Sequence, residues 1–248
     1  MTALYLILGS QLNAQRDLAN YLCQHGLENP ATAAIYFPET SPSTTDSAAS
    51  WAFGDGGTLA LPAKASDNEA IFLLCSPSED PRPFLEAVAG ALQATKFELA
   101  RIFTVVDCGL LCEQPQLKAY YELCLHFSDV FLLGNRSDVS KKWVQGYIDE
   151  LKKMAVPTRI EYLKADGKVD AVSEFLFPEA RRVSQIFDAA DGPDDPGLII
   201  ESQSEDDDQE DEEEITKFDL RNLENDPYLL RFEDDSFEIK LRTFPEYP

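Results

Sequence analysis

The sequence predicts a three-layer, doubly wound α/β domain built on a mostly parallel sheet, followed by an acidic C-terminal tail and a short β-hairpin. Two observations carry the domain: short apolar runs suited to fully buried strands recur along the first 180 residues, and helix-length segments separate most of them. A third sets the tail apart. Residues 188–248 hold 22 acidic and 5 basic residues, so −17 of the formal charge of −24 lies in the last quarter of the chain.

Strands are expected at 4–8, 33–37, 70–75, 102–106, 130–133 and 159–163, and helices at 14–25, 81–95, 114–126, 141–154 and 169–177. Pro81 and Ser140 stand where helix starts prefer a proline or a capping hydroxyl, and Gly26 stands where a helix end prefers glycine. Crossovers between parallel strands then put helices on both faces. Residues 38–57, rich in Pro, Ser, Thr and Gly with Trp51 and Phe53 interleaved, read as a long mobile excursion. The domain spans 1–180, an acidic linker 181–216, and a hairpin segment 217–248 in which 228–232 and 237–242 pair.

The charge excludes nucleic acid and anionic membrane surfaces as partners, because both repel a carboxylate-rich chain, and points to a basic protein partner. The apolar run 3–8 stops at Gly9, too short for a signal or a membrane span, so a cytoplasmic protein is expected. Five cysteines at irregular spacing argue for reduced, mostly buried thiols rather than a disulfide framework. Cys108, Cys112, Cys124 and His126 do not have the spacing of a common zinc motif, and no nucleophile, base and orienting acid stand together in the sequence.

In a doubly wound sheet ligands sit at the carboxyl ends of the strands. After the first strand, Gly9 holds the first glycine position of a phosphate loop, but Ala14 stands at the second, Gln15 at the lysine and Arg16 at the magnesium-binding hydroxyl. After the fifth, Asn135, Arg136, Ser137 and Asp138 stand where a guanine-reading Asn-Lys-x-Asp turn would lie. Val105, Val106 and Asp107 close the strand before it, and the stretch from Cys75 to Pro81 ends in an Asp-Pro pair.

These four stretches, in this order, resemble the P-loop GTPase domain of the CobW-type (CobW/HypB/UreG) metallochaperones over roughly residues 1–177. The resemblance implies a P-loop NTPase-like fold, GTP or GDP as the nucleotide, and Gly9, Gln15, Arg16, Asn135 and Asp138 as a degenerate nucleotide site. It also implies losses. The family's switch glutamate falls on Cys75 and its switch glycine on Ser78, and its Cys-x-Cys-Cys metal motif has no counterpart near 57–66.

Without the lysine and the hydroxyl, phosphoryl transfer loses its cationic and magnesium support. The leading reading is therefore a pseudo-GTPase, a binding or scaffold protein that requires no cofactor, has no catalytic or metal residues and binds guanine nucleotide weakly at most. Two others stay open: a nucleotide-binding metallochaperone-type protein in which Arg16 or Arg136 neutralises phosphate, and a structural module acting through the acidic run 205–214. A turn-and-cap role for Asn135 and Asp138, and a bare strand-to-helix turn at 9–16, stand beside the functional readings.

Overall fold

The computed structural model describes residues 2–9, 11–40, 49–177, 179–187, 226–241 and 243–244. Eight strands form one sheet: β1 (Thr2–Gly9), β2 (Ala33–Pro38), β3 (Ser50–Phe53), β4 (Leu59–Ala60), β5 (Ala70–Leu74), β6 (Phe97–Asp107), β7 (Val130–Gly134) and β8 (Arg159–Tyr162). Their order is β4-β3-β2-β5-β1-β6-β7-β8, parallel throughout except for the terminal β3–β4 pair. The expected mostly parallel, three-layer architecture is present. The chain leaves β1 for one side of the sheet, returns with β5 and crosses to β6, so its direction reverses at β1 and β6.

The apolar strands read as continuous runs because both faces are covered. Their alternate residues nonetheless part cleanly. Leu4, Leu6, Leu8, Ile71, Leu73, Ile102, Val106, Phe131 and Leu133 join one buried cluster, with side chains of α2 (Pro81–Ala94), α4 (Lys118–Phe127) and α5 (Lys141–Lys153). Tyr5, Ile7, Phe72, Leu74, Phe103, Val105 and Leu132 join the other, beneath α1 (Leu12–Gly26) and α6 (Val172–Phe175).

Several local expectations are corrected. The helix expected over 114–126 starts later, as α4 after a 3-10 turn at Pro115–Leu117, and a short helix that was not expected, α3 (Cys108–Glu113), precedes it. Pro115 lacks an N–H and drives Gln114 out of the helical region, which ends α3 there. Gly26 does not follow α1 but ends it, and its missing side chain makes room for Leu176, whose Cδ1 would lie 2.3 Å from a Cβ. The helix expected over 169–177 shrinks to one turn, entered through Ala171 at φ +50°.

The excursion over 38–57 is anchored, not wholly mobile. Trp51 is buried, donates from Nε1 to the Leu74 carbonyl at 2.8 Å and packs on Phe84. Residues 41–48 lie outside the described residues.

Among the described residues the C-terminal pairing is a single antiparallel bridge, Arg231 to Phe237. It packs on the domain. Arg82, buried on α2, donates to the carbonyls of Ile239 (2.7 Å) and Tyr228 (3.3 Å), stacks on Phe237 and pairs with Asp80. Leu229 and Ile186 belong to the first buried cluster. The acidic run 205–214 lies outside the described residues.

Candidate functional site

Gly9 ends β1 at φ +95°, and a Cβ there would lie 2.2 Å from the Val105 carbonyl oxygen of β6. Only glycine tolerates both the backbone angle and the approach. Helix α1 then begins at Leu12, ahead of the position where a phosphate loop carries its second glycine. The buried Gln15 turns its side chain back, donating from Nε2 to the Gly9 carbonyl at 3.0 Å. That bond ties the first turn of the helix to the end of the strand.

Asp107 closes β6 and is 5% exposed. Its Oδ1 accepts the Leu110 amide at 2.9 Å, capping α3, while its Oδ2 accepts from Gln11 Nε2 at 2.9 Å and Asn135 Nδ2 at 2.8 Å. One carboxylate thus both braces the loops after β1 and β7 and caps a helix. Asn135 sits in the left-handed region at φ +47°, which asparagine tolerates better than most residues. It is followed by a 3-10 turn at Arg136–Asp138 and the Ser140 cap, whose hydroxyl accepts the Trp143 amide.

Above this brace opens a cleft of about 830 Å³. Its walls come from α1 (Asn13, Ala14, Asp17), the loop after β7 (Asn135, Arg136, Ser137), α5 (Lys141, Gln145) and the end of β8 with the loop that follows it (Tyr162 to Gly167). Gly167, at φ +70°, lets this last loop lie on α1: a Cβ would meet the Asp17 carbonyl carbon at 2.2 Å. The Arg136 guanidinium rests on the Tyr162 ring, 3.9 Å from its centroid, and its buried Nε has no hydrogen-bond partner.

Of the five residues expected to form the site, only Asn135 lines this cleft. Gln15 is buried at the helix start. Arg16 is half-exposed and faces Asp17 at 3.5 Å. The Asp138 carboxyl lies against Gly109, its Oδ2 3.3 Å from where a Cβ would stand, and accepts from the Ser137 hydroxyl. Cys75, where the resemblance places a switch glutamate, is buried, and burial pushes its thiol well above the ordinary value. Cys23 and Cys108 are pushed up to about 12 for the same reason; Cys112 alone of the five is exposed.

Sequence reasoning that stopped at β7 missed Tyr162 at the end of β8, Lys164 and Gly167 after it, and the Gln11 brace. Gly167, four residues past the last apolar run at 159–163, was the available signal. Among the described residues no group of three or more His, Cys, Asp or Glu side chains is placed to hold a metal, and no helix is long and apolar enough to cross a membrane.

Fold and cleft together define a three-layer α/β protein with an open pocket where the sheet reverses direction. No family model and no curated protein matches the chain. Among solved structures it is similar to the Zn(II)-bound YjiA GTPase from E. coli, at 14% identity and a TM-score of 0.41 over 71% of this chain and 61% of that one. It is also similar to a Zn(II)-bound triple mutant of YjiA GTPase, at 16% identity and a TM-score of 0.42 with the same coverage. The chain thus spans less than two thirds of the length of these structures.

Proposed function

We propose that the chain is a CobW-like pseudo-GTPase: a non-catalytic binding protein that uses the cleft at the carboxyl ends of its strands without turning nucleotide over. The observation that carries this reading is the bond from Gln15 Nε2 to the Gly9 carbonyl, 3.0 Å long. A phosphate loop keeps its backbone N–H groups open and offers an ammonium and a hydroxyl to the outer phosphates and magnesium. Here the residue at the ammonium position serves the protein's own backbone, and the residue at the hydroxyl position, Arg16, lies outside the cleft and faces Asp17. This donor set does not fit a magnesium-bound nucleoside triphosphate.

Binding itself has support. Arg136 is held by stacking on Tyr162 with donors left over, an arrangement that suits an anionic group entering the cleft. This favours the second reading, residual guanine-nucleotide binding. Against it stands Asp138, whose position over Gly109 keeps the expected guanine acceptor off the cleft wall. Titrating the full chain with GDP, GTP and ADP, with and without magnesium, tests both readings. Weak or no binding without hydrolysis supports the first; submicromolar, guanine-selective, magnesium-dependent binding would overturn it.

The partner of such a module is a basic protein in the cytoplasm, drawn by the acidic run 205–214.

A further inference from the structure

At the opposite end of the strands from the cleft, three arginines gather near the amino ends of β6, β7 and β8 in a chain of net charge −24. Arg101, Arg159 and Arg181 line a pocket of about 390 Å³ together with Ser173, Glu174, Glu179 and Phe177. Two of these arginines are already paired. Arg159 donates to Glu161 and to Glu174, both at 2.9 Å, and Arg181 donates to Glu179 at 2.8 Å.

Arg101 is not. It is 3% exposed, and among the described residues its buried Nε has no partner and its one hydrogen bond runs from Nη2 to the Glu174 carbonyl at a long 3.4 Å. The nearby Asp129 carboxylate is committed elsewhere: it accepts the Ile102 and Arg181 amides, at 2.8 and 2.7 Å, and contacts from Arg182 Nη1 at 3.3 and 3.4 Å. One buried carboxylate therefore serves two buried guanidiniums and binds only one of them directly.

An under-satisfied buried cation is costly, and a native one calls for a partner. Burial pulls the Arg101 guanidinium below its ordinary value and Arg181 and Arg159 act in the same direction, against Asp129 and Glu179. The pocket wall itself carries three arginines against two glutamates, Glu174 and Glu179, while Glu161 and Asp129 stand outside its lining. At its mouth stands Phe177, 68% exposed.

We propose that this pocket is a binding site for a monocarboxylate carried on an apolar body, the carboxylate taken by Arg101 with Arg159 and Arg181 beside it and the apolar part covering Phe177. A planar guanidinium fork matches a carboxylate in two-point geometry. A dianion would have to dislodge Glu174 or Glu179 from its arginine. The site stands apart from the cleft and does not depend on the function proposed for it.

The test uses the full chain and fluorine NMR of 4-fluorobenzoate, with inorganic phosphate as competitor. Saturable binding is expected, weakened at least about tenfold in R101Q, the order of loss when one partner of a buried charge pair is removed. It should be weakened in the more exposed R159Q too, which reports even if R101Q fails to fold. Binding should be unchanged in R136Q, which alters only the cleft, and unmoved by equimolar phosphate. No saturable binding, equal binding in wild type and both pocket variants, loss in R136Q, or displacement by phosphate would overturn the assignment.

Discussion

The side-chain amide of Asn135 donates to the Asp107 carboxylate at 2.8 Å, joining the loop after β7 to the end of β6 across 28 residues of sequence. Gln11 reaches the same oxygen from the loop after β1, at 2.9 Å. The floor of the cleft is therefore one carboxylate with three donors, and its removal should be felt in all three loops. Asp107→Ala is expected to cost about 2–4 kcal/mol, because it strands three partly buried donors at once and removes the cap of α3. Asn135→Gly keeps the left-handed backbone and deletes only the amide, so a double-mutant cycle in urea should give a coupling of about 0.5–3 kcal/mol. Additivity within error would mean that the brace contributes nothing.

The tie between Gln15 and Gly9 makes a second prediction. Gln15→Leu leaves the Gly9 carbonyl without its donor and should destabilise by about 1–3 kcal/mol. Gly9→Ala should cost more, about 3 kcal/mol or beyond, since strain at φ +95° adds to the overlap with Val105. Chemical denaturation reads both. A Gly9→Ala protein as stable as wild type would show that the strand end has room that its geometry denies.

Hydrolysis of GTP or ATP with magnesium should stay at background. Arg136→Ala should weaken any nucleotide or other anion bound in the cleft about tenfold or more, whereas Asp138→Ala should leave it unchanged. Phosphate-release assays and calorimetry measure these. Turnover abolished by Asp138→Ala would reverse the assignment of the cleft.

The C-terminal segment should loosen in acid. Asp226 accepts from Ser184 at 2.6 Å, lies 2.9 Å from His126 Nε2 and accepts the Tyr228 amide. Burial raises its carboxyl, but the His126 and Ser184 hydrogen bonds and the His126 charge outweigh this and hold it below the ordinary carboxylate value. A carboxylate whose folded value is depressed contributes stability that is complete above its unfolded value, about 3.9, and is lost as pH falls through the folded one. Hydrogen exchange at the Leu229 and Glu238 amides, which bond to the Asp226 and Leu230 carbonyls, should therefore accelerate below about pH 4. Asp226→Asn should remove most of this dependence, and an unchanged acid limb would assign it to other groups.

Deleting 205–214 should leave the melting temperature of the α/β domain nearly unchanged and slow association with a basic partner, chiefly at low salt, since attraction between exposed charges fades within a Debye length. Association kinetics at two ionic strengths check this.

What the amino-acid order alone determined is local in origin. Runs such as 70–75 and 130–133 are apolar on both faces, so they announce buried parallel strands wherever they end up, and a stretch of nine acids broken only by Gln209 announces itself by composition. That Gln15 and Arg16, and not a lysine and a hydroxyl residue, follow the Gly9 turn was likewise legible from position. The tertiary structure decided where those residues went. Whether Asp107 caps or braces depends on which strands become neighbours, and its partners Gln11 and Asn135 lie 96 and 28 residues away. The strand order that brings β1, β6 and β7 side by side places the three loops within hydrogen-bond reach of one carboxylate, while β6 and β8, one strand apart, carry Arg101 and Arg159 to one pocket. No periodicity encodes such meetings, because they arise from packing two apolar faces at once and from burying each polar group where a partner already stands.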